Sequence, residues 1–300
     1  MMNKIPYFLF IFCISFSLSA KEPQLKDSKD LMEKLLSFRK PAKRAAFIEK
    51  KLKSWGYTLK YEKFLIDGLM QGKNIIATKV GTVSENSIIE LAAHHDVRIG
   101  SGGADDNTSG VVAVLLAARH FAKLNPAKTI RFCFFDHEEF GMKGSQYHVK
   151  KILQNEDEKL IAAIVLEMIG YRDKKKNSQK TPFRKIGLLD PPTTADFIAL
   201  VSNKNTSKFA KQFEAISKAK NPTLKVFPVV GLEDILLDTF RSDHAAYWIH
   251  ELPAVMLTDT ANYRNPNYHK KTDTIKTIDF EFMNSVIKTV IISLEEFSKK

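Results

Sequence analysis

The chain has 300 residues, of which 44% are hydrophobic and 27% charged, a balance that is typical of a globular protein and excludes a disordered one. Its formal net charge is +12. The lysines are scattered and lack interleaved aromatic residues, which indicates a solvated surface and no nucleic-acid partner.

The first twenty residues predict a signal peptide. Met1–Lys4 is short and basic, Ile5–Ser19 is almost wholly apolar, and small residues up to Ala20 offer a processing site. The apolar run is shorter than the roughly 20 residues of a spanning helix, so we expect export (periplasmic or secreted) without stable membrane insertion, with an uncleaved anchor as the alternative. Cleavage would remove Cys13 and leave Cys133 alone in an apolar run, where we expect a core residue and no disulfide.

Residues 21–300 are predicted to form a single domain with a helical lead-in at about 27–55, divided into two helices near Pro41. The predicted strands are Tyr57–Leu65, Asn74–Val80, Ile88–Ala93, Thr129–Phe135, Leu160–Leu166, Lys185–Leu189, Thr223–Val230 and Pro253–Leu257. The predicted helices are Ser109–Leu124, Gly141–Leu153, Thr194–Val201, Lys208–Ala219, Asp243–His250 and an amphipathic helix from Phe280 to Phe297. This alternation predicts an α/β fold, a three-layer sandwich with a central mixed, mostly parallel sheet covered by helices on both faces.

Histidines and carboxylates stand at the ends of these strands and in the last loop. They are His94, Asp96, Asp106, Glu138, Glu139, Glu167 and His269. The carboxyl ends of parallel strands share one edge of a sheet, where ligands bind, so we expect these side chains to converge. Five carboxylates would resist ionisation together unless cations lay among them, and mixed histidine and carboxylate ligation suits zinc. The set is large enough for two Zn²⁺ ions and predicts a dinuclear hydrolytic site.

Five short motifs follow one another between about Ile75 and Thr274. They are GADDNTSG, the Glu138–Glu139 pair followed by GxxGS, LEMIGY from Leu166, SDHAAYW from Ser242, and YHKKTDT from Tyr268. Each motif alone is a weak signal, but in this order they resemble the co-catalytic zinc aminopeptidase family, which includes bacterial leucyl aminopeptidases and aminopeptidase Y. The resemblance implies a metallopeptidase that removes N-terminal residues from peptide substrates, and the predicted signal peptide implies that it is exported.

The resemblance also implies a ligand for each position of a two-zinc site. His94 and Glu167 would bind one zinc, Glu139 and His269 the other, and Asp106 would bridge the two. Family members often have aspartate at the position of Glu167, a change that affects geometry more than ligation.

Two further residues receive catalytic roles from the resemblance. Glu138 would be the general base, which takes a proton from the metal-bridged water and passes it to the leaving amine. Asp96 lies two residues after His94, on the same side of an extended strand, and would orient that imidazole.

The residue that polarises the substrate carbonyl is left open. Some family members use a tyrosine shortly before the SDH motif, where this chain has Asp238–Arg241. Arg241 would bind a substrate carboxylate or the oxyanion, or lie on the surface, and Tyr268 is a second candidate. The remaining histidines, Asp105 and Asp273 are predicted not to be ligands.

Two other classes of function remain alternatives. One is a related amide hydrolase, carboxypeptidase or glutaminyl cyclase-like enzyme on the same fold, although the cyclases lack a complete two-metal set. The other is a catalytically silent peptide-binding ectodomain, which would predict a lost base or broken ligands, whereas Glu138 and all five ligands are intact.

Overall fold

The computed structural model describes residues 25–38, 40–182 and 190–299. Its α-helices are α1 (Leu25–Leu36), α2 (Pro41–Ser54), α3 (Gly110–Phe121), α4 (Lys143–Leu153), α5 (Ser207–Lys220), α6 (His244–Trp248) and α7 (Phe280–Phe297). Its strands are β1 (Leu59–Ile66), β2 (Met70–Lys79), β3 (Ser84–His94), β4 (Lys128–Phe135), β5 (Lys159–Glu167), β6 (Ile198–Ser202), β7 (Val226–Val230) and β8 (Ala254–Thr258). A π-helix covers Ala104–Ser109, between β3 and α3.

The described strands form one sheet in the order β1-β2-β4-β3-β5-β8-β6-β7. Four of its pairings are parallel, namely β3 with β4, β3 with β5, β5 with β8, and β6 with β7. The pairings of β1 with β2, β2 with β4, and β6 with β8 are antiparallel. The mixed, mostly parallel sheet is therefore confirmed, and the carboxyl ends of β4, β3, β5 and β8 meet at one edge.

Helices cover both faces of the sheet, as predicted. Successive side chains of a strand point to opposite faces, so Leu91 and Ala93 enter one hydrophobic cluster while Ala92 enters the other. Helices α1, α2, α3, α5 and α7 contribute to the first cluster, whereas α4 and α6 contribute to the second. The three layers follow from apolar strands that are buried on both faces.

The ends of several helices are set by local sequence. Pro41 occupies the first turn of α2, where its missing N–H leaves no hydrogen bond unmade, and it separates α2 from α1. The Asp279 side chain caps α7 by accepting a hydrogen bond from the Phe282 amide at 3.0 Å. The lead-in before β1 thus consists of two helices on the same side of the sheet as α7.

One predicted helix is wrong. The segment Thr194–Val201 is not helical; its second half forms β6, which lies between β8 and β7 and is buried along its whole length. A short apolar run that is buried on both sides has no period that separates strand from helix. The predicted strand Lys185–Leu189 and the predicted signal peptide lie outside the described residues. Among the helices of residues 25–38, 40–182 and 190–299, none has the length and apolarity needed to cross a membrane.

Candidate metal centre

The sheet edge formed by β4, β3, β5 and β8 brings the predicted donor residues together. His94 is the last residue of β3 and Glu167 the last of β5, while Glu138 and Glu139 follow the end of β4. His269 comes from the loop after β8, on a turn where its backbone has φ +59°. Such left-handed backbone is uncommon outside glycine and recurs at functional sites.

Two groups of three donors share one carboxylate. In the first group, His94 Nε2 lies 3.4 Å from Asp106 Oδ1 and 3.4 Å from Glu167 Oε2. In the second group, His269 Nε2 lies 3.2 Å from Asp106 Oδ2 and 3.4 Å from Glu139 Oε2. Asp106 therefore presents one oxygen to each imidazole, as a bridging ligand requires. We call these five residues the five-donor cluster.

The spacing of the five-donor cluster fits zinc. Ligand atoms at about 2.0–2.1 Å from a tetrahedral ion are separated from one another by about 3.3 Å. The imidazole-to-carboxylate separations of 3.2–3.4 Å match that edge length. His94 Nε2, which faces Asp106 and Glu167, is buried without a hydrogen-bond partner, which is costly for a polar group unless a cation or a proton is shared there.

The charges of the cluster also call for a cation. Burial, reinforced by Asp106 and Glu167, raises the pKa of Glu139 to about 7. Burial and the carboxylates around it raise the pKa of Glu138 well above its usual value. Burial alone would lower the pKa of His94, but Glu167, Glu138 and Asp106 raise it well above its usual value. The amino acids alone thus hold more negative charge than a buried site accommodates, and divalent cations would balance it.

Asp96 connects the cluster to the predicted base. Its Oδ1 lies 3.3 Å from His94 Nδ1, on the far side of the imidazole from Asp106. The same carboxylate accepts hydrogen bonds from the Glu138 amide at 3.1 Å and the Glu139 amide at 3.2 Å. Glu138 Oε2 lies 3.9 Å from His94 Nε2 and belongs to neither donor group. Asp96 therefore fixes one imidazole and the backbone that carries two of the predicted site residues.

Side chains of the π-helix 104–109 bond the Asp106 segment to the end of β5, and the sequence analysis did not predict these contacts. The peptide bond between Asp106 and Asn107 is cis. The Asn107 side chain donates to the Leu166 carbonyl at 2.8 Å and accepts from the Met168 amide at 3.1 Å. The Ser109 hydroxyl accepts from the Ile169 amide at 3.0 Å. These bonds flank Glu167 and so set its distance from Asp106. The sequence signal for these contacts was the run of polar residues in the GADDNTSG motif.

Asp273 holds the same segment from the His269 loop. Its carboxylate accepts hydrogen bonds from the Asp105 amide at 2.9 Å and the Asp106 amide at 3.2 Å. Gly102 packs so closely on this loop that an added Cβ would lie 2.0 Å from the Asp273 carbonyl oxygen. Asp273 thus supports the ligand loops and is not part of either donor group, in agreement with the prediction that it is no ligand.

The SDH motif contributes Ser242, whose hydroxyl donates to Glu167 Oε2 at 2.7 Å. Sequence reasoning did not single out this residue, although it begins the motif. His244 Nε2 donates to the Thr239 carbonyl at 2.6 Å and is a structural residue.

Arg241 and Tyr268 lie together at the cleft. Arg241 Nη2 donates to the Tyr268 hydroxyl at 2.9 Å, and Nη1 donates to Asn262 Oδ1 at 2.8 Å. The Tyr268 ring stacks on the His269 imidazole with 3.7 Å between centroids. Arg241 is therefore tied to the cleft wall, whereas Tyr268 reaches the donor cluster directly.

A cavity of about 390 Å³ opens from the five-donor cluster. Acidic residues of the cluster line one end. The floor consists of apolar side chains on or beside β6, β7 and β8, on the face that α4 and α6 cover elsewhere: Phe197, Ala199, Val201, Phe227, Val229 and Met256. This arrangement suits a ligand with one cationic end and an apolar side chain.

A second histidine–carboxylate group lies in the core, on the side of α4 and α6. His148 contacts Glu62 at 3.0 Å and Glu90 at 3.1 Å. Glu90 also accepts from Arg131 at 2.9 Å and from the Tyr247 hydroxyl at 2.7 Å. We call these five residues the core ion cluster.

The fold and the five-donor cluster define a metal-dependent hydrolase. The sequence profile described as Peptidase family M28 matches residues 74–293. The chain belongs to this family and is a zinc-dependent metallopeptidase, which confirms the resemblance to the co-catalytic zinc aminopeptidases.

Two relatives illustrate the similarity. The chain is 31% identical over 235 residues to the uncharacterized protein YfbL of Escherichia coli (strain K12), with 74% of this chain and 70% of that protein covered. It is 27% identical over 232 residues to a probable leucine aminopeptidase of Trichophyton verrucosum (strain HKI 0517), with 73% and 55% covered. The chain thus spans about half the length of this fungal relative.

Solved structures share the fold. The aminopeptidase from Aneurinibacillus sp. strain AM-1 matches with a TM-score of 0.72 at 15% identity, covering 93% of this chain and 95% of that one. The glutaminyl cyclase of Porphyromonas gingivalis matches with a TM-score of 0.69 at 18% identity, covering 91% and 98%. An aminopeptidase and a cyclase therefore share this fold, and the site must distinguish between their activities.

Proposed function

We propose that this chain is an exported dinuclear zinc aminopeptidase that removes N-terminal residues with apolar side chains from peptides. The observation that carries the proposal is Asp106, whose two oxygens face the imidazoles of two separate donor groups at 3.4 and 3.2 Å. The fungal relative, a probable leucine aminopeptidase, supports the same activity. Export rests on the sequence of Met1–Ala20 alone.

The cleft offers each part of such a substrate a matching environment. The acidic end of the cavity would attract the free α-ammonium group, and the apolar floor would bury the first side chain. A carboxypeptidase would instead need a cation for the substrate carboxylate. Arg241 already donates to Asn262 and Tyr268, and Lys180 also lines the cavity, so the preference for the N-terminus rests on the acidic end and the apolar floor.

Each catalytic step has a residue in reach. His94, Asp106, Glu139, Glu167 and His269 would hold the two zinc ions. When bound, zinc would polarise the scissile carbonyl and lower the pKa of a coordinated water. The Glu138 carboxylate would accept the proton of the attacking water and return it to the leaving amine. The Tyr268 hydroxyl accepts from Arg241, so its own hydrogen is available for the substrate carbonyl oxygen.

The test compares two adjacent glutamates. We expect Glu138→Gln to lower kcat by about 10²–10⁴-fold, because it removes the base, while zinc per chain stays at the wild-type value. Glu139→Gln is the matched control: it removes a ligand and should lower zinc per chain. Zinc content by mass spectrometry and kcat on a leucyl peptide measure both. Normal turnover by the Glu138→Gln protein would disprove the assigned mechanism.

Product analysis separates the alternatives. Incubation with peptides that begin with leucine, with acetylated leucine or with glutamine should release free leucine from the first alone. Release of ammonia and a pyroglutamyl peptide from the third would identify a cyclase. Shortening at the carboxyl end would identify a carboxypeptidase, and no turnover of any peptide by the zinc-loaded protein would favour a silent binding domain.

A further inference from the structure

Arg44 lies on α2, in the lead-in, and therefore before residues 74–293 that match the family. Its side chain is only 5% exposed and fully engaged. Nε donates to the His95 carbonyl at 3.3 Å, Nη1 to the Leu35 carbonyl at 3.3 Å, and Nη2 to the Thr108 hydroxyl at 2.9 Å. One buried guanidinium thus bonds three separate segments.

Two of these segments carry proposed zinc ligands. His95 directly follows His94, and its amide donates to the Phe135 carbonyl at 2.8 Å, which fixes the end of β3 against the end of β4. Thr108 lies two residues after Asp106, and its hydroxyl donates to the Gly103 carbonyl at 2.5 Å, which closes the turn that contains Asp106. Arg44 therefore spans the two backbone segments whose separation sets the distance between His94 and Asp106.

We propose that Arg44 is a positioning residue for the metal centre, through which the lead-in helices fix the relative placement of the His94 and Asp106 segments. The inference rests on the proposed zinc site. A planar guanidinium with several rigid donors suits this role, because a lysine ammonium cannot reach three acceptors in fixed directions. Groups that orient metal ligands typically change metal affinity by about 10–100-fold when they are removed.

Removal of Arg44 should have opposite effects on zinc affinity if the residue acts by its charge and if it acts by its position, which makes the inference testable. Burial lowers the pKa of Arg44 to about 10, so the side chain remains a cation at neutral pH. If Arg44 acted only by its charge, its removal would relieve repulsion and tighten zinc binding. If it acts by position, its removal loosens the two ligand segments and weakens zinc binding.

Arg119 provides a matched control. It lies on α3 and bonds Asp27 of α1 at 3.0 Å, so it also attaches the lead-in to the rest of the fold, but at a surface position that contacts no proposed ligand segment. Loss of this bond would loosen α1 without touching the metal centre. A comparison of the two arginines separates positioning from general anchoring.

The experiment measures zinc affinity by competition with a chromophoric chelator, alongside thermal unfolding of the metal-free proteins. We expect Arg44→Met to weaken zinc binding about 10–100-fold, Thr108→Val about tenfold or less, and Arg119→Met less than twofold. Arg44→Lys keeps the charge and should still lose affinity. Zinc binding by Arg44→Met that equals or exceeds the wild-type affinity, or an equal loss in Arg119→Met, would overturn the inference.

Two further outcomes are decisive. If Arg44→Met does not fold, Arg44→Lys and Thr108→Val decide the question, and wild-type affinity in both folded variants would overturn the inference. If the wild-type protein binds no zinc, the proposed function itself fails, whereas wild-type binding with unchanged variants would refute only the role of Arg44.

Discussion

The five-donor cluster and the core ion cluster both combine histidine with glutamate, but their carboxylates have different partners. In the five-donor cluster, imidazoles and carboxylates face one another at 3.2–3.4 Å, and Nε2 of His94 lacks a hydrogen-bond partner. In the core ion cluster, the oxygens of Glu90 accept from Arg131, His148 and Tyr247 at 2.7–3.1 Å. The five-donor cluster is therefore suited to bind a cation, whereas the oxygens of Glu90 already accept hydrogen bonds from protein groups.

This difference shows that proximity alone does not define a metal site. Glu90, Cys133 and His148 also bring possible ligand atoms within 4.8 Å of one another. The oxygens of Glu90, however, already accept from Arg131, His148 and Tyr247, so a metal would have to displace buried hydrogen bonds. The hydrogen-bond partners therefore indicate that the five-donor cluster binds metal and that the core ion cluster stabilises the fold.

The largest effect is expected from a substitution in the five-donor cluster. Asp106→Asn removes the charge of the carboxylate that faces both imidazoles, so we expect zinc per chain to fall and kcat/KM to drop about 10³-fold or more, because a catalytic metal supplies several kcal/mol. Metal analysis and peptide kinetics check this. Thermal stability of the metal-free variant should be below that of the metal-free wild type, because burial alone would raise the pKa of Asp106 but His269 and His94 lower it to about 2, so its charge stabilises the folded state. Full activity with normal zinc content would contradict the bridging role.

The next largest effect is expected from a substitution in the core ion cluster. Glu90→Gln removes the carboxylate that Arg131 and His148 share, and although each keeps a second carboxylate we expect a loss of about 3 kcal/mol in the free energy of unfolding of the metal-free protein. Urea unfolding measures it. Zinc per chain should stay at the wild-type value, because Glu90 belongs to the other cluster. A fall in zinc content without loss of stability would reverse the two assignments.

The core ion cluster should also make stability depend on pH. Burial alone would lower the pKa of His148, but Glu90 and then Glu62 raise it well above its usual value. A raised pKa in the folded state stabilises the protein below the unfolded value of about 6.5, and the contribution is lost as pH rises through the folded pKa. Glu90 stays ionised over this range, since His148, Arg131 and Tyr247 lower its pKa to about 2 against the effect of burial.

The measurement is the difference in unfolding free energy between wild type and His148→Gln. We expect about 1.5–3 kcal/mol near pH 6, the value of charge-assisted hydrogen bonds, and a smaller difference at pH 10. His120→Gln is a suitable control, because His120 is a partly buried helix histidine that pairs with Glu295 alone. A difference that grows with pH would mean that His148 is neutral in the folded protein.

Sequence patterns predicted the residues of the five-donor cluster because each stands at a strand end or in a motif. They also predicted the sheet and its two helix layers, since apolar runs of strand length alternate with helical periods. The structure brings all seven predicted site residues to one edge of the sheet. The resemblance also gave Asp106 the bridging role, and the distances agree with it, because the two oxygens of Asp106 face different imidazoles.

The backbone partners of the supporting residues could not be predicted, because they lie far away along the chain. Asp273 accepts from the Asp105 amide 168 residues away, and Arg44 donates to the His95 carbonyl 51 residues away. Neither contact leaves a local period or spacing in the sequence. The error at β6 has a related cause, since its five buried residues are defined by the strands beside them and not by their own pattern.

The smallest effect is expected from substitution of Cys133, which tests whether the group around this residue binds metal. Burial, with the charge of Glu90 next, raises the pKa of this thiol to about 11, so it is protonated at neutral pH and unsuited to bind a metal as thiolate. We expect Cys133→Ala to cost about 1 kcal/mol of unfolding free energy, the value of a small buried cavity, and to leave zinc per chain unchanged. Cys133→Ser is the companion variant, because it keeps the size but adds a hydroxyl that must find a partner. If the alanine variant lost zinc, the group of Glu90, Cys133 and His148 would itself be a metal site, and the occupied hydrogen bonds of Glu90 would not distinguish it from the five-donor cluster.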